Sequence, residues 1–240
     1  MCLISVIIPT FNSAKVISQA IQSFIDQKFA GCELIIIDGG SSDATIDILK
    51  SYMHHISYLI SEPDNGLYDA MNKGIDKANG EWLYFLGSDD QILNSVFDNL
   101  SHHLKQDFKL VYGNVIYDNG HQMYSQFNNR MILENTLHHQ SAFYHHSLFS
   151  SFRYDSSLKV VADYELNLRA YLNKVHSLKV NRTIAKCGSS GVSSLLVSDE
   201  TNTVRSRYIK NPIVRKVLNA ILDGYYSYFR LKKSIVAKAK

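Results

Sequence analysis

Two adjacent aspartates, Asp89 and Asp90, directly follow an apolar segment and are the clearest chemical signal in the chain. The segment before them reads WLYFL at 82–86, which is typical of a buried strand. Carboxylates at the end of such a strand can hold Mg²⁺, because Mg²⁺ is usually bound by one or two carboxylates together with substrate phosphates. The alternative is an aspartate-rich turn, since Ser, Asp and Asn collect in turns for conformational reasons.

Polar residues also follow three earlier predicted strands. They are the segment 9–12 (PTFN), Asp38, and the segment 64–73. The carboxyl ends of parallel strands meet at one edge of a sheet, where open α/β sheets bind their ligands, so the sequence predicts a single nucleotide-sized site there. No glycine-rich phosphate loop of either common type is present, so metal and side chains are expected to neutralise phosphate.

The elements that position these residues alternate between strand and helix up to about residue 105. Continuous apolar runs predict buried strands, and apolar residues at helical spacing predict the helices that connect them. Ser42 is predicted to cap a helix that runs to about His54, and a further helix is predicted over 67–78. The fold class is therefore α/β, with a mainly parallel, Rossmann-like sheet covered by helices on both faces.

The pattern changes after residue 105 and predicts a smaller mixed region. Strands are expected at 109–112 and 115–117, followed by a hairpin turn at 118–120. A helix is expected over 162–172, then an extended segment and a flexible loop at 188–191. We therefore predict a catalytic domain over 1–200, with a nucleotide-binding half at 1–105 and an acceptor half at 106–200.

The composition indicates a folded globular protein of 240 residues, 45% hydrophobic and 20% charged. There is no apolar stretch of 18 residues, so a membrane span is not expected. The first residues are interpreted as a strand rather than a signal peptide. Three scattered cysteines show no metal or redox spacing, which favours reduced thiols in a cytoplasmic protein.

The last forty residues, 201–240, differ from the rest in charge. They hold ten of the 25 basic residues but one of the 22 acids, and they combine helical apolar spacing with an aromatic cluster at 225–229. Such a basic amphipathic tail favours binding to an anionic membrane surface. The alternative is a helix that packs on the catalytic domain or on a second subunit. Nucleic-acid binding is not expected, because no recognition motif accompanies the charge.

The N-terminal half resembles the inverting, GT-A-type glycosyltransferases of family 2. The resemblance rests on SVIIPTFN at 5–12, ELIIIDGGSSDAT at 33–45, DNGLYDAMNKGI at 64–75 and GSDD at 87–90. It is specific over about 1–100 and looser to about 195. Within the family the motifs look most like bacterial colanic acid and exopolysaccharide enzymes. The resemblance implies a GT-A fold and a Mg²⁺ or Mn²⁺ cofactor.

The resemblance also implies roles for residues of the nucleotide-binding half. Pro9, Thr10 and Phe11 match the segment that packs on the base, and Asp38 matches the aspartate that bonds a uracil-type ring. The alternative for Asp38 is an aspartate that forms a turn. Three residues of the predicted helix at 67–78 match nucleotide-contacting positions, although a helix-surface ion pair explains two of them equally well; the three are Asp69, Asn72 and Lys73.

The resemblance assigns Asp89 to the ribose and Asp90 to the metal. Many relatives carry a further acid two residues before this pair, where this chain has Gly87. That departure leaves the number of metal ligands open, and a water or a histidine could complete the set.

In the acceptor half, the resemblance makes Asp163 the general base that deprotonates the acceptor hydroxyl. An aspartate at a helix start has a second reading as an N-terminal cap. His139 lies in an HQ segment similar to that of related enzymes and is assigned to the diphosphate or the metal. The segment YGN at 112–114 matches a region that lines the donor sugar.

These assignments predict a metal-dependent inverting glycosyltransferase. It would move a sugar from a nucleotide diphosphate, UDP favoured, to a growing bacterial surface polysaccharide or lipid-linked glycan at the inner face of the cytoplasmic membrane. A homo-oligomer is compatible with the sequence. Two alternatives are a sugar nucleotidyltransferase, which should carry a glycine-rich loop after the first strand, and a non-catalytic nucleotide-sugar or membrane-binding module.

Overall fold

The computed structural model describes residues 2–189 and 198–238, with side chains described up to residue 228. Its strands are β1 (Ile4–Thr10), β2 (Cys32–Asp38), β3 (Tyr58–Ser61), β4 (Trp82–Phe85), β5 (Gln91–Ile92), β6 (Leu110–Tyr117), β7 (Gln122–Met123), β8 (Ala142–His145) and β9 (Ser177–Cys187). Its α-helices are α1 (Ile17–Ile25), α2 (Thr45–Ser51), α3 (Leu67–Lys77), α4 (Val96–Leu104), α5 (Ala162–Leu172), α6 (Ser198–Tyr208) and α7 (Pro212–Lys238). Short 3₁₀ turns lie at Asn129–Ile132, His139–Ser141 and His146–Phe149.

Within the described residues the strands form one sheet in the order β3-β2-β1-β4-β8-β6-β9-β5, and β7 pairs with β6. Strands β3, β2, β1 and β4 are parallel. Strand β8 runs antiparallel between β4 and β6, and β9 runs parallel to β6. The carboxyl ends of β1, β2 and β4 therefore lie side by side, with Thr10 paired to Asp38 and Ile7 to Phe85.

The two faces of the sheet carry separate hydrophobic cores, because successive side chains of a strand point to opposite faces. Ile7 packs with residues of α3 and α5, whereas its neighbours Val6 and Ile8 pack with residues of α1, α2 and α4. All three isoleucine and valine side chains are fully buried. This arrangement confirms the predicted α/β fold with helices on both faces.

Three local predictions need correction or refinement. Helix α2 begins at Thr45 after Ala44 and ends at Ser51, so Ser42 is not its cap. The backbone N–H of Ser42 instead donates to Asn12 Oδ1 at 2.9 Å and ties the loop after β2 to the loop after β1. The two strands expected at 109–112 and 115–117 are one strand, β6. The turn at 118–120 does form a hairpin, with Gly120 at a positive φ of 82°.

The C-terminal region does not separate from the catalytic body at residue 201. Helix α6 packs on α5, and its Val204 is fully buried in the core beneath the sheet. The buried Glu165 of α5 accepts hydrogen bonds from Arg207 at 2.5 Å and from Tyr208 at 3.0 Å. Arg205 is 1% exposed and donates to the carbonyl of Leu133 at 3.1 Å. Helix α6 is therefore a structural part of the catalytic domain.

Helix α7 follows as the last described element. Its Leu222 is fully buried and its Tyr226 is 8% exposed, so one side of this helix also packs on the body. Among the described residues, we find no helix whose length and apolar character would let it cross a lipid bilayer. The predicted loop at 188–191 lies partly outside the described residues.

Candidate active site

Two adjoining cavities open where β1, β2 and β4 end. The larger, of about 590 Å³, contains Asp89 and Asp90 together with His139. The smaller, of about 500 Å³, is lined by residues of the loops after β1 and β2 and by the start of α3. Pro9, Leu67 and Ser88 line both cavities. The structure thus places a bipartite pocket at the predicted edge of the sheet.

Asp90 is the buried member of the acid pair. It is 4% exposed, and its carboxylate accepts hydrogen bonds from Gln140 Nε2 at 2.7 Å and from the backbone N–H of Gly188 at 3.1 Å. Burial, together with the negative charge of Asp89, raises the pKa of Asp90 to about 6. A buried carboxylate next to a second one favours a cation, which would offset both the desolvation and the repulsion.

Glycines make room for the two carboxylates. A Cβ atom at Gly87 would lie 2.4 Å from Asp90 Oδ2 and 3.1 Å from Asp89 Oδ1. A Cβ atom at Gly188 would lie 2.9 Å from Asp89 Oδ2. The departure from the family pattern at Gly87 therefore has a structural reason, because a side chain there would occupy the space into which both carboxylates point.

These residues fit a Mg²⁺ or Mn²⁺ ion held mainly by carboxylate and phosphate oxygens. Asp89 and Asp90 supply hard oxygen ligands that converge on the space beside Gly87. In the described part of the chain, no three His, Cys, Asp or Glu side chains converge as a metal cluster. The role of His139 as a metal ligand stays a prediction.

His139 instead faces the carboxylate of Asp163. The distance from His139 Nδ1 to Asp163 Oδ2 is 3.4 Å. The same carboxylate lies 2.8 Å from Asn135 Nδ2 and 3.3 Å from the Tyr68 hydroxyl, both of which can donate to it. Asp163 is 7% exposed and does not itself line the larger cavity, whereas His139 does.

The alternative role of Asp163 as a helix cap is not supported by this geometry. Helix α5 begins at Ala162, its N-cap is Val161, and no side chain of the N-cap residue bonds to the helix. The Asp163 carboxylate lies one residue inside the helix and is directed to Tyr68, Asn135 and His139. Its hydrogen-bond partners fix the direction of this carboxylate, and its role as the general base stays a prediction.

The segment that the sequence assigns to the base lies in the smaller cavity. Pro9, Thr10 and Phe11 all line it, and the Phe11 side chain is 61% exposed. An aromatic ring of this size, exposed at the mouth of a cavity, offers a stacking surface for a nucleobase. Thr10 is 4% exposed, and its hydroxyl has no hydrogen-bond partner among the described residues.

The Asp38 carboxylate is enclosed by hydrogen bonds from its own loop and from β3. Its side chain is fully buried, and its oxygens accept from the hydroxyls of Ser41 and Ser61 and from the backbone N–H of Gly40 and Ser41. These bonds hold the loop after β2 in shape. A bond from Asp38 to a base would have to replace one of them, and this role stays a prediction.

The three predicted contacts on α3 are not brought into either cavity. Asn72 makes two hydrogen bonds with the main chain of Tyr154. Its Nδ2 donates to the carbonyl of Tyr154 at 2.8 Å, and its Oδ1 accepts from the N–H of Tyr154 at 2.9 Å. Lys73 pairs with Glu62 at 2.8 Å and lies 3.9 Å from Asp69. The face of α3 toward the cavities carries Leu67, Ala70 and Met71. The structure therefore favours the interpretation of Asp69 and Lys73 as members of a surface ion pair.

Sequence reasoning missed other residues of the larger cavity. The exposed Lys15 lines this cavity and carries a positive charge, and a lysine after the PTFN segment could have been noticed. His138 is 9% exposed, its two ring nitrogens have no hydrogen-bond partner in the described part of the chain, and burial lowers its pKa to about 3. Cys187 lines the same wall, and burial raises the pKa of its thiol. No sequence pattern marks these two.

The YGN segment lies in β6, beside the turn that contains Gln140. Asn114 is 3% exposed, and its Oδ1 has no partner among the described residues. The assignment of this segment to the donor sugar is not tested by these contacts.

A sheet of this order, an acid pair after β4 and a split pocket at the strand ends are the features expected of a GT-A-type glycosyltransferase. The family model described as "Glycosyl transferase family 2" matches residues 5–171. The chain therefore belongs to glycosyltransferase family 2 and is a glycosyltransferase, as the sequence predicts. The narrower resemblance to colanic acid enzymes stays a prediction.

Two curated relatives show the range of similarity. A PGL/p-HBAD biosynthesis glycosyltransferase of Mycobacterium bovis is 35% identical over 180 residues, which cover 70% of each chain. A GalNAc(5)-diNAcBac-PP-undecaprenol beta-1,3-glucosyltransferase of Campylobacter jejuni is 29% identical over 131 residues, which cover 53% of this chain and 42% of that enzyme.

Solved structures confirm the fold. S. aureus TarS 1-349 in complex with UDP-GlcNAc superposes with a TM-score of 0.70 at 22% identity, covering 84% of this chain and 64% of that one. This chain covers 38% of the longer TarS chain. Mannosyltransferase PcManGT from Pyrobaculum calidifontis, in complex with GDP-Man and Mn²⁺, superposes with a TM-score of 0.66 at 14% identity, covering 91% of this chain and 68% of that one.

Proposed function

We propose that this protein is a metal-dependent inverting glycosyltransferase that uses a UDP-sugar and extends a bacterial surface polysaccharide or lipid-linked glycan. The observation that carries the proposal is the bipartite pocket. Its smaller cavity has an exposed aromatic ring, and its larger cavity holds the acid pair Asp89 and Asp90 together with His139, whose ring faces Asp163.

The donor lies along this pocket in the proposed complex. The base stacks on Phe11, the ribose contacts Asp89, and Lys15 and His139 face the diphosphate. Asp89 and Asp90 would hold a Mg²⁺ or Mn²⁺ ion, which when bound supplies positive charge for the leaving diphosphate. Inversion follows when the acceptor oxygen attacks the anomeric carbon from the side opposite the diphosphate. Asp163 takes the proton from that acceptor hydroxyl.

Relatives support the donor and acceptor classes. A structural neighbour was solved with UDP-GlcNAc and another with GDP-Man and Mn²⁺, and a curated relative is named for a polyprenol-linked glycan. The uridine preference rests on the assignment of Asp38, since the structural neighbours were solved with donors of different bases. A thermal-shift screen of UDP- and GDP-sugars with Mn²⁺ identifies the donor, because a ligand at 100 times its Kd stabilises by about 2.7 kcal/mol.

The role of Asp163 is tested with the donor that this screen selects. Asp163→Asn keeps the size of the side chain and removes its basicity, so UDP release and sugar transfer should fall about 10²–10⁴-fold while UDP affinity stays within a few-fold. His139→Gln is the companion variant. If Asp163→Asn keeps full turnover while His139→Gln loses it, the imidazole accepts the proton and the assignment of Asp163 is wrong.

We also propose that α7 attaches the enzyme to the anionic inner face of the cytoplasmic membrane. Ile213, Val217 and Ile221 recur every four residues and are 71%, 52% and 51% exposed, on the side of the helix away from Leu222. The sequence adds five basic residues in 230–240. Each basic residue near anionic lipid contributes about 1 kcal/mol, and the exposed apolar side chains can enter the headgroup region.

Sedimentation with phosphatidylserine-containing vesicles tests this attachment. The full chain should sediment at low salt and be released in part at high salt, because salt screens the charges and not the apolar contact. Val217→Ser with Ile221→Ser should weaken the salt-resistant part, and Ala220→Ser on the same exposed helix is the matched control. A protein that ignores the vesicles at low salt contradicts the attachment. A concentration-dependent dimer in that case assigns the face to a second copy.

A further inference from the structure

Helix α6 lies beyond the residues matched by the family model, yet it holds the backbone that leads into the catalytic helix α5. The family match ends at residue 171, and α6 spans Ser198–Tyr208. In this helix Thr201 is 3% exposed and Val204 is fully buried. The helix therefore occupies a fixed position against the body.

Glu200 of α6 binds three successive backbone N–H groups. Its carboxylate accepts from Lys159 at 2.9 Å, from Val160 at 2.9 Å and from Val161 at 3.2 Å. The N-cap of α5, Val161, has no side-chain hydrogen bond of its own to offer the helix. A carboxylate near a helix N-terminus is also stabilised by the helix dipole. Glu200 thus fixes the start of α5 from another helix, 39 residues along the chain from Val161.

The backbone at 159–161 is also held by a residue of the nucleotide-binding half, Tyr68 of α3. The carbonyl of Val160 accepts from the Tyr68 hydroxyl at 2.7 Å, and that hydroxyl lies 3.3 Å from Asp163 Oδ1. Asp163 follows Val161 by two residues. The direction of its carboxylate is therefore set by a loop that is clamped by Glu200 on its N–H side and by Tyr68 on its carbonyl side.

We propose that Glu200 is a positioning residue for the reaction, which orients Asp163 through the 159–161 backbone. This inference rests on the proposed role of Asp163 as the base. It makes α6 part of the catalytic unit, although the family model does not include it. A misplacement of about 1 Å in a catalytic group can reduce turnover about 100-fold, so the clamp has kinetic consequences.

The test uses the full chain with Glu200→Ala, Glu200→Gln and the control Asp199→Ala. Asp199 is the exposed neighbour in the same helical turn, so its variant removes the same charge without touching the loop. Glu200→Ala should lower kcat for UDP release about 10- to 100-fold and leave donor KM and UDP affinity within about threefold. Glu200→Gln keeps one acceptor oxygen and should lose less, and Asp199→Ala should behave as wild type.

A double-mutant cycle separates positioning from general stability. If Glu200 acts through Asp163, then Glu200→Ala should cause no further loss in an Asp163→Asn background. Full kcat in folded Glu200→Ala overturns the inference, as does an equal loss in both backgrounds. If the alanine variant does not fold, wild-type kcat in Glu200→Gln overturns it. If Asp163→Asn alone retains wild-type turnover, Asp163 is not the base. That result refutes the proposed role of Asp163 and differs from the results that refute the role of Glu200.

Discussion

The space beside Gly87 allows the sharpest single test of the metal-site assignment. A Cβ atom at this position would lie 2.4 Å from Asp90 Oδ2, whereas ordinary contact begins near 3.4 Å, so Gly87→Ala must displace the Asp90 carboxylate by about 1 Å. That movement breaks the hydrogen bond from Gln140 at 2.7 Å or the one from Gly188 at 3.1 Å. A 1 Å displacement of a catalytic group predicts a loss of about 100-fold in turnover.

The assay is the rate of UDP release as a function of Mn²⁺ concentration. Gly87→Ala should need more Mn²⁺ and reach a lower maximum, while base stacking on Phe11 keeps part of the UDP affinity. Gly224→Ala is the matched control, since a Cβ there meets no atom within 4 Å and the position lies inside a helix. Gly87→Asp restores the acid found in many relatives but fills the same space, so it should be no more active than Gly87→Ala. A Gly87→Ala enzyme within twofold of wild type, or an activated Gly87→Asp, would refute this account of the acid pair.

Three further variants probe the charges and the base site. The folded pKa of Asp90, about 6, exceeds its ordinary value of 3.8, so the folded state binds the proton more tightly and stability falls as pH rises through that window. Asp90→Asn should therefore raise the free energy of unfolding of metal-free protein at pH 7.5 by up to about 3 kcal/mol, and its melting temperature with it, and should abolish transfer; a lower melting temperature contradicts this. The pKa of His138 is shifted in the opposite direction, because its folded value of about 3 lies below the ordinary 6.5. The free energy of unfolding of wild type should therefore fall as pH drops below 6.5. His138→Gln should lose less free energy of unfolding between pH 7 and pH 5 in urea titrations. Equal losses would show that His138 is not buried in its neutral form. Phe11→Ala should weaken UDP binding in calorimetry by about 1–3 kcal/mol with little change in melting temperature, because the ring is 61% exposed; unchanged UDP affinity would place the base elsewhere.

The sequence predicted the fold and the edge of the sheet that holds the site, because both depend on local patterns. An apolar run that ends in Asp89 and Asp90 marks the end of a strand whatever packs around it. Helix α3 was likewise predicted from apolar residues at helical spacing. Which face of α3 meets the cavity was not visible, and neither was the contact of Asn72 with the main chain of Tyr154, which lies 82 residues away.

The C-terminal charges show the same limit. Counting basic residues placed Arg205 and Arg207 in a membrane-binding tail, but the structure buries one and pairs the other with Glu165 and Asp155. Among the described basic side chains after position 200, Lys210 and Lys216 are exposed. A charge count cannot separate these cases, since the partner acids lie more than 40 residues earlier in the chain.

The pairing of Glu165 with Arg207 and Tyr208 sets where this enzyme can be recombined with its relatives. Glu165 belongs to the segment that the family model matches, and its partners lie outside that segment. A chimera that grafts residues 5–171 onto a foreign C-terminus would leave a buried carboxylate without its cation, which is strongly destabilising. The exchangeable unit therefore extends through Tyr208, and swaps intended to change donor choice should carry α6 together with the domain it supports.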